Sequence, residues 1–147
     1  MTLLVARAFG ARQLIAIDVQ ARRLGLAKAA GATSCIDRTP IDPVRALMEA
    51  TAGRGVDVVF DTTGSSKACA QTPELARRGG VVTRVGWPEG VLVPFPISVV
   101  LERELDVRGV NRYCNLFDAA VKLLESGAVD VKQLSRKWAS FMLRTSS

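Results

Sequence analysis

Two stretches of this chain end an apolar run on an aspartate: "LIAID" at 14–18 and "VDVVFD" at 56–61. Apolar runs without polar alternation suit strands buried on both faces, and such strands belong to parallel sheets covered by helices. Helical patterns lie between the strand-like runs, and parallel strands need helical crossovers. The expected architecture is therefore α/β, with a doubly wound parallel sheet.

The pattern along the chain supports this alternation. Residues 2–9 read as a well-buried helix closed by Gly10, with no visible start. A strand follows at 14–19, a helix at 20–32 closed by Gly31, and a weaker strand "TSCID" at 33–37. Asp42 as N-cap and Pro43 at the first helical position open a helix that Gly53 ends. A strand at 56–61, a helix at 67–80 kinked at Pro73 and a strand at 80–87 come next. A short helix at 94–105, a strand at 105–113 and a helix capped by Asn115 and ended by Gly127 complete the series.

A chain of 147 residues, 48% hydrophobic and 23% charged, is one globular body by length and composition. Its net charge of +6 raises the question of nucleic acid, but the basic residues are scattered, with paired arginines at 22–23 and 77–78 and no aromatic interleaving. A solvated surface is expected, with no nucleic-acid partner. Three widely spaced cysteines and no histidine fit neither a disulfide framework nor a metal site, so no metal ligand is assigned. The apolar opening lacks the leader and cleavage pattern of a signal peptide, and no run reaches membrane-spanning length. A reducing, cytoplasmic setting without membrane contact is the expectation.

In parallel sheets of this type ligands bind at the carboxyl ends of the strands. Asp18 sits at such an end. In a dinucleotide-binding fold, the acid closing the second strand accepts hydrogen bonds from the adenosine ribose and repels the extra phosphate of NADP. The plain alternative is that Asp18 caps the helix after it. The G-x-G-x-x-G turn belongs about 20 residues before that acid, yet only 17 residues precede Asp18 and none forms the motif. The chain is thus read as Rossmann-like but truncated, with the first strand and Gly-rich turn absent. In the strand order 3-2-1-4-5-6 the missing strand is central, so the strands at 14–18 and 56–61 are each expected to carry an unpaired edge.

Taken in order, "MTLLVARAFGA", "IAIDVQARRLGLAKAAGA", "VDVVFDTTG", "RRGGVVTRVGW" and "VRGVNRYCN" resemble the coenzyme domain of the zinc-containing medium-chain dehydrogenases, in particular the sorbitol (L-iditol) and xylitol dehydrogenase branch. The match covers residues 2–134, and its least generic part is "GVNRYCN". Residues 1–134 would then be a partial NAD-binding domain. Residues 135–147, "SRKWASFMLRTSS" with the preceding Leu134 as boundary, are a tail that departs from the family pattern.

This resemblance implies reversible NAD-linked oxidation of a polyol to a ketose in an enzyme that is a homo-oligomer when intact. It implies zinc in that enzyme, held by a domain outside this chain, so no residue here is assigned as catalytic or as a zinc ligand. Asp18 would hold the adenosine ribose and Arg23 would lie by the adenine end. Val85, Gly86 and Trp87 would line the nicotinamide riboside, as would Val110, Asn111 and Arg112. Arg112 and Tyr113 would reach polyol hydroxyls. Plain readings stand beside these: Trp87 as cover for a sheet edge, Tyr113 as a core aromatic, Arg112 as a surface base. Asn111 departs from the Phe often found there in that branch. Two other functions are open at this point: a non-catalytic fragment that associates with a full-length relative, and a Rossmann-type methyltransferase, which gives no reason for "GVNRYCN".

Overall fold

The computed structural model describes residues 1–90, 92–113 and 115–132, so the tail at 135–147 lies outside the described residues. In chain order the elements are α1 (Thr2–Ala8), β1 (Ile15–Asp18), α2 (Ala21–Ala29), β2 (Ser34–Asp37), α3 (Pro43–Ala50), β3 (Val56–Asp61), α4 (Ser66–Leu75), β4 (Ala76–Arg84), α5 (Ile97–Glu102), β5 (Asp106–Gly109) and α6 (Phe117–Glu125). They fall into two units, one of Met1–Asp37 with the residues from Tyr113 onward, the other of Arg38–Arg112. All strand pairing is parallel, in two sheets ordered β1-β2 and β3-β4-β5. Among the described residues β1 bonds only β2, and β3 bonds only β4, which leaves each with one unpaired edge.

In the first unit the register aligns Ile15 with Ser34 and Asp18 with Asp37, so the carboxyl ends of both strands coincide. Thr33 fixes the start of the pair: its hydroxyl accepts from the Leu14 N–H at 2.9 Å and donates to the Leu14 carbonyl at 3.0 Å. Both preceding turns depend on glycine. Gly10 (φ +86°) and Gly31 (φ +96°) take the left-handed position after α1 and α2. There the Ala11 and Ala32 N–H groups reach back to the Ala6 and Ala27 carbonyls, closing each helix. The expectation of a well-buried first helix fails: α1 contains no buried residue, and Phe9 is 78% exposed. Residues 2–6 are half-buried rather than buried.

The second unit is better filled. Leu47, Val59, Cys69, Leu75, Ala76 and Val82 form its core. Asp42 caps α3 as expected, accepting from the Val44 and Arg45 N–H groups ahead of Pro43. Ser65 caps α4 through the Ala68 N–H. That helix ends at Leu75, five residues short of the sequence expectation. Pro73 has no N–H for the Cys69 carbonyl; the Thr72 hydroxyl donates to that oxygen instead, at 2.8 Å. The chain then extends, and 76–80 joins β4 rather than the helix. The ladder pairs Val56 with Ala76 but Val58 with Val81, so the segment between Ala76 and Val81 bulges out of register.

Burial of β3 on both faces is also not found. Val59 and Asp61 are buried, whereas Val58 and Phe60, on the opposite face, are 43% and 47% exposed. Within this unit α4 packs on β3 and β4, and α3 and α5 pack on α4. No described helix of the unit covers the Val58 and Phe60 face. The strand expected at 105–113 is confined to Asp106–Gly109, and Arg112 (φ +55°) lies in the turn beyond it. Asn115 does not cap α6: it takes φ +55° itself, and Leu116 is the N-cap, without a side-chain bond.

Candidate functional site

In the first unit Asp18 closes β1. Its Oδ1 accepts the Gln20 N–H at 2.9 Å, and Arg23 Nη1 lies 3.7 Å from its Oδ2. Gln20, not Asp18, is the N-cap of α2, so the capping alternative is out by two residues. One hydrogen bond and a long ion pair leave a carboxylate with unused acceptor capacity. The pair is asymmetric in exposure, with side chains 22% exposed for Asp18 and 62% for Arg23.

In the second unit the carboxyl ends of β3, β4 and β5 lie side by side, Asp61 against Arg84 and Arg84 against Gly109. Asp61, the acid of the second apolar run, is buried. Its Oδ1 accepts from the Thr63 N–H and hydroxyl at 2.9 and 2.8 Å, while Arg84 Nη1 stands 2.6 Å from its Oδ2. This aspartate therefore holds its own turn and the neighbouring strand together. Its backbone carbonyl accepts the N–H groups of both Val85 and Gly86. Cys69 is buried nearby, and that burial pushes its thiol pKa up, against the opposing charge of Arg84.

Two glycines let the strand-end turns meet. A Cβ at Gly86 would overlap Gly64 N and lie 2.8 Å from the Thr62 carbonyl carbon and from Thr63 N. Gly64, at φ +71°, passes equally close beneath the Trp87 carbonyl. Backbone against backbone leaves no side chain that could give way. Val85 and Trp87 are exposed, Trp87 at 83%, so the tryptophan does not serve as cover for a sheet edge. Val110 donates its N–H to the Arg84 carbonyl at 2.9 Å, which sets the β5 end beside the β4 end. Asn111 and Arg112 follow on an exposed turn. Tyr113, in the first unit, is 70% exposed and is no core aromatic.

The structure thus pairs Asp18 with Arg23, and the turn of Val85, Gly86 and Trp87 and that of Val110, Asn111 and Arg112 follow adjacent strand ends. The sequence reading missed the Asp61–Arg84 pair and the Gly64–Gly86 crossing. A usable signal was present: Arg84 is the lone charge in the run GVVTRVGW, and the structure sets it in register with Asp61 on the adjacent strand. Among the described residues no three His, Cys, Asp or Glu side chains cluster as a metal site, so no zinc-dependent step is derived for this chain.

The family described as zinc-binding dehydrogenase matches residues 1–126. The chain belongs to that family. Sorbitol dehydrogenase of Bacillus subtilis (strain 168) is 35% identical over 134 residues, covering 91% of this chain and 38% of its own length. D-xylulose reductase A of Aspergillus oryzae is 35% identical over 142 residues, 93% of this chain and 39% of its own. A protein from Sinorhizobium meliloti 1021, described as a zinc-binding dehydrogenase and solved with NADP bound, superposes with a TM-score of 0.83. It is 32% identical, and the match covers 90% of this chain and 40% of that one. This dehydrogenase chain therefore spans well under half the length of the relatives it matches. Among its described residues no helix is long and apolar enough to cross a membrane.

Proposed function

We propose that this zinc-binding dehydrogenase segment is the coenzyme-binding part of an NAD-linked polyol dehydrogenase, which oxidises a secondary alcohol of sorbitol, xylitol or a similar polyol to the ketose. One observation carries the reading. Asp18 ends β1 without capping α2, so its carboxylate keeps acceptors for two ribose hydroxyls. The same carboxylate beside a 2′-phosphate would be a close like-charge pair, which favours NAD over NADP. Arg23 partly offsets that charge at 3.7 Å, so the preference is finite.

Bound NAD would accept the hydride. The residues of this chain supply position. Val85, Gly86 and Trp87 on one turn, with Val110, Asn111 and Arg112 on the next, form the wall for the nicotinamide riboside. Arg112 and Tyr113 present a guanidinium and a phenol to the polyol hydroxyls. Replacing residues 1–126 for the matching segment of the Bacillus subtilis sorbitol dehydrogenase tests the proposal. The graft should oxidise sorbitol with NAD; a folded graft that no longer binds NAD would overturn it. In the same graft Tyr113→Phe should lower kcat/KM for the polyol by about 1 kcal/mol, one lost hydrogen bond. Its melting temperature should not change, since the ring is 70% exposed.

A second reading, association of residues 1–147 with a full-length relative, is favoured by the unpaired edges of β1 and β3. It predicts that the 147-residue polypeptide binds NAD weakly by itself, since residues 1–17 contain no G-x-G-x-x-G turn to present backbone N–H groups to the pyrophosphate. Calorimetric titration decides: millimolar or weaker binding is expected, and micromolar binding would refute it.

A further inference from the structure

The amino ends of β3, β4 and β5 lie at the opposite edge of the second unit's sheet from the turns just described. There Gly53, Arg54, Arg77, Arg78 and Arg103 line a cleft of about 420 Å³. This falls within the roughly 300–1,000 Å³ range of small-molecule sites. The out-of-register bulge after Ala76 brings Arg77 and Arg78 to this edge. Gly79 (φ +62°) returns the chain, its N–H bonded to the Arg103 carbonyl at 2.8 Å.

Four guanidiniums line this cleft, and among the described residues Asp57 is the one carboxylate ion-paired with them. Asp57 pairs with Arg54 Nη2 at 2.7 Å and with Arg77 Nε at 2.6 Å. Those two arginines hold its pKa down to about 2, by their hydrogen bonds first. Among the described residues Arg78 and Arg103 form no ion pair. Arg78 Nη1 donates to the Glu102 carbonyl at 2.7 Å, and Arg103 Nη1 to the Glu74 and Ala76 carbonyls at 2.9 and 2.8 Å. Arg77 Nη1 likewise donates to the Arg78 carbonyl. Carbonyls orient a guanidinium without neutralising it. Among the described residues, Arg77 Nη2 and the Nε and Nη2 groups of Arg78 and Arg103 have no acceptor.

Positive charge gathered in a cleft, held rigid by carbonyls and left with free planar donors, suits an anion carrying several phosphate-like groups. We propose that this cleft is a binding site for a small polyphosphate or multiply phosphorylated metabolite, separate from the dinucleotide site and independent of the proposed polyol activity. The preformed guanidiniums lose little freedom on binding, so the ligand gains most of their donor strength.

Inorganic tripolyphosphate is the probe, titrated calorimetrically into the 147-residue chain at about 50 mM salt, where phosphate contacts are least screened. One-to-one binding is expected, weakened about tenfold in Arg78→Gln, the loss of one charge-assisted contact. Asp18→Asn should leave it unchanged. Because Arg78→Gln could also disturb β4, nitrogen-15 spectra of the unmodified chain give a second readout: the Nε signals of Arg54, Arg77, Arg78 and Arg103 should shift together. Absent binding, shifts spread evenly over all arginines, or an affinity indifferent to Arg78→Gln would each overturn the proposal. So would tight binding of a duplex DNA oligonucleotide that tripolyphosphate fails to displace, which would make the cleft part of a nucleic-acid surface.

Discussion

Asp61→Ala is expected to destabilise the chain by about 3 kcal/mol, the low end of the range for removing one partner of a buried ion pair. The low end applies because Arg84 keeps 18% of its side-chain exposure, while that of Asp61 is 2%. The variant also strips the Thr63 N–H and hydroxyl of their shared acceptor. Replacing both charges, as in Asp61→Leu with Arg84→Leu, should cost less than Asp61→Ala alone, since no uncompensated charge is left behind. Urea unfolding of the three proteins measures this. If the double variant were the least stable, the pair would contribute more than the mutual neutralisation described here.

Gly86→Ala should cost a similar amount, about 3 kcal/mol, for a different reason. The added methyl meets backbone atoms of Thr62, Thr63 and Gly64, so two strand ends must separate to admit it. Gly25 provides the contrast. It lies inside α2 with nothing within 4 Å of a Cβ, so Gly25→Ala should raise stability by about 0.5–1 kcal/mol through helix propensity. Opposite shifts in melting temperature for the two glycine-to-alanine changes are the expected result. A neutral Gly86→Ala would show that the turns are not in close contact.

The order of elements was legible in the sequence because each carries its own period and punctuation. Asp42 with Pro43, and glycines at positions 10 and 31, mark ends through purely local bonds. The end of α4 was not legible, since "PELARRGG" is compatible with helix until Ala76 is seen to pair with Val56, twenty residues back. The two apolar runs ended by acids read alike and behave differently. Asp18 has no basic residue in register on β2, where Asp37 faces it. Asp61 has Arg84 in register on β4 and is taken up by the fold. Exposure was the least legible property: whether Val58, Phe60 or α1 is covered depends on neighbours that the strand and helix periods do not specify.

Cofactor preference is the most direct test of the central claim that Asp18 reads the adenosine ribose of NAD. In the sorbitol dehydrogenase graft, kcat/KM with NAD should exceed that with NADP by at least about tenfold, the effect of roughly 1.4 kcal/mol of like-charge repulsion. Asp18→Ala should lower NAD use and narrow the gap, leaving Arg23 free to meet the 2′-phosphate. Equal use of NAD and NADP, unaltered by Asp18→Ala, would contradict the account.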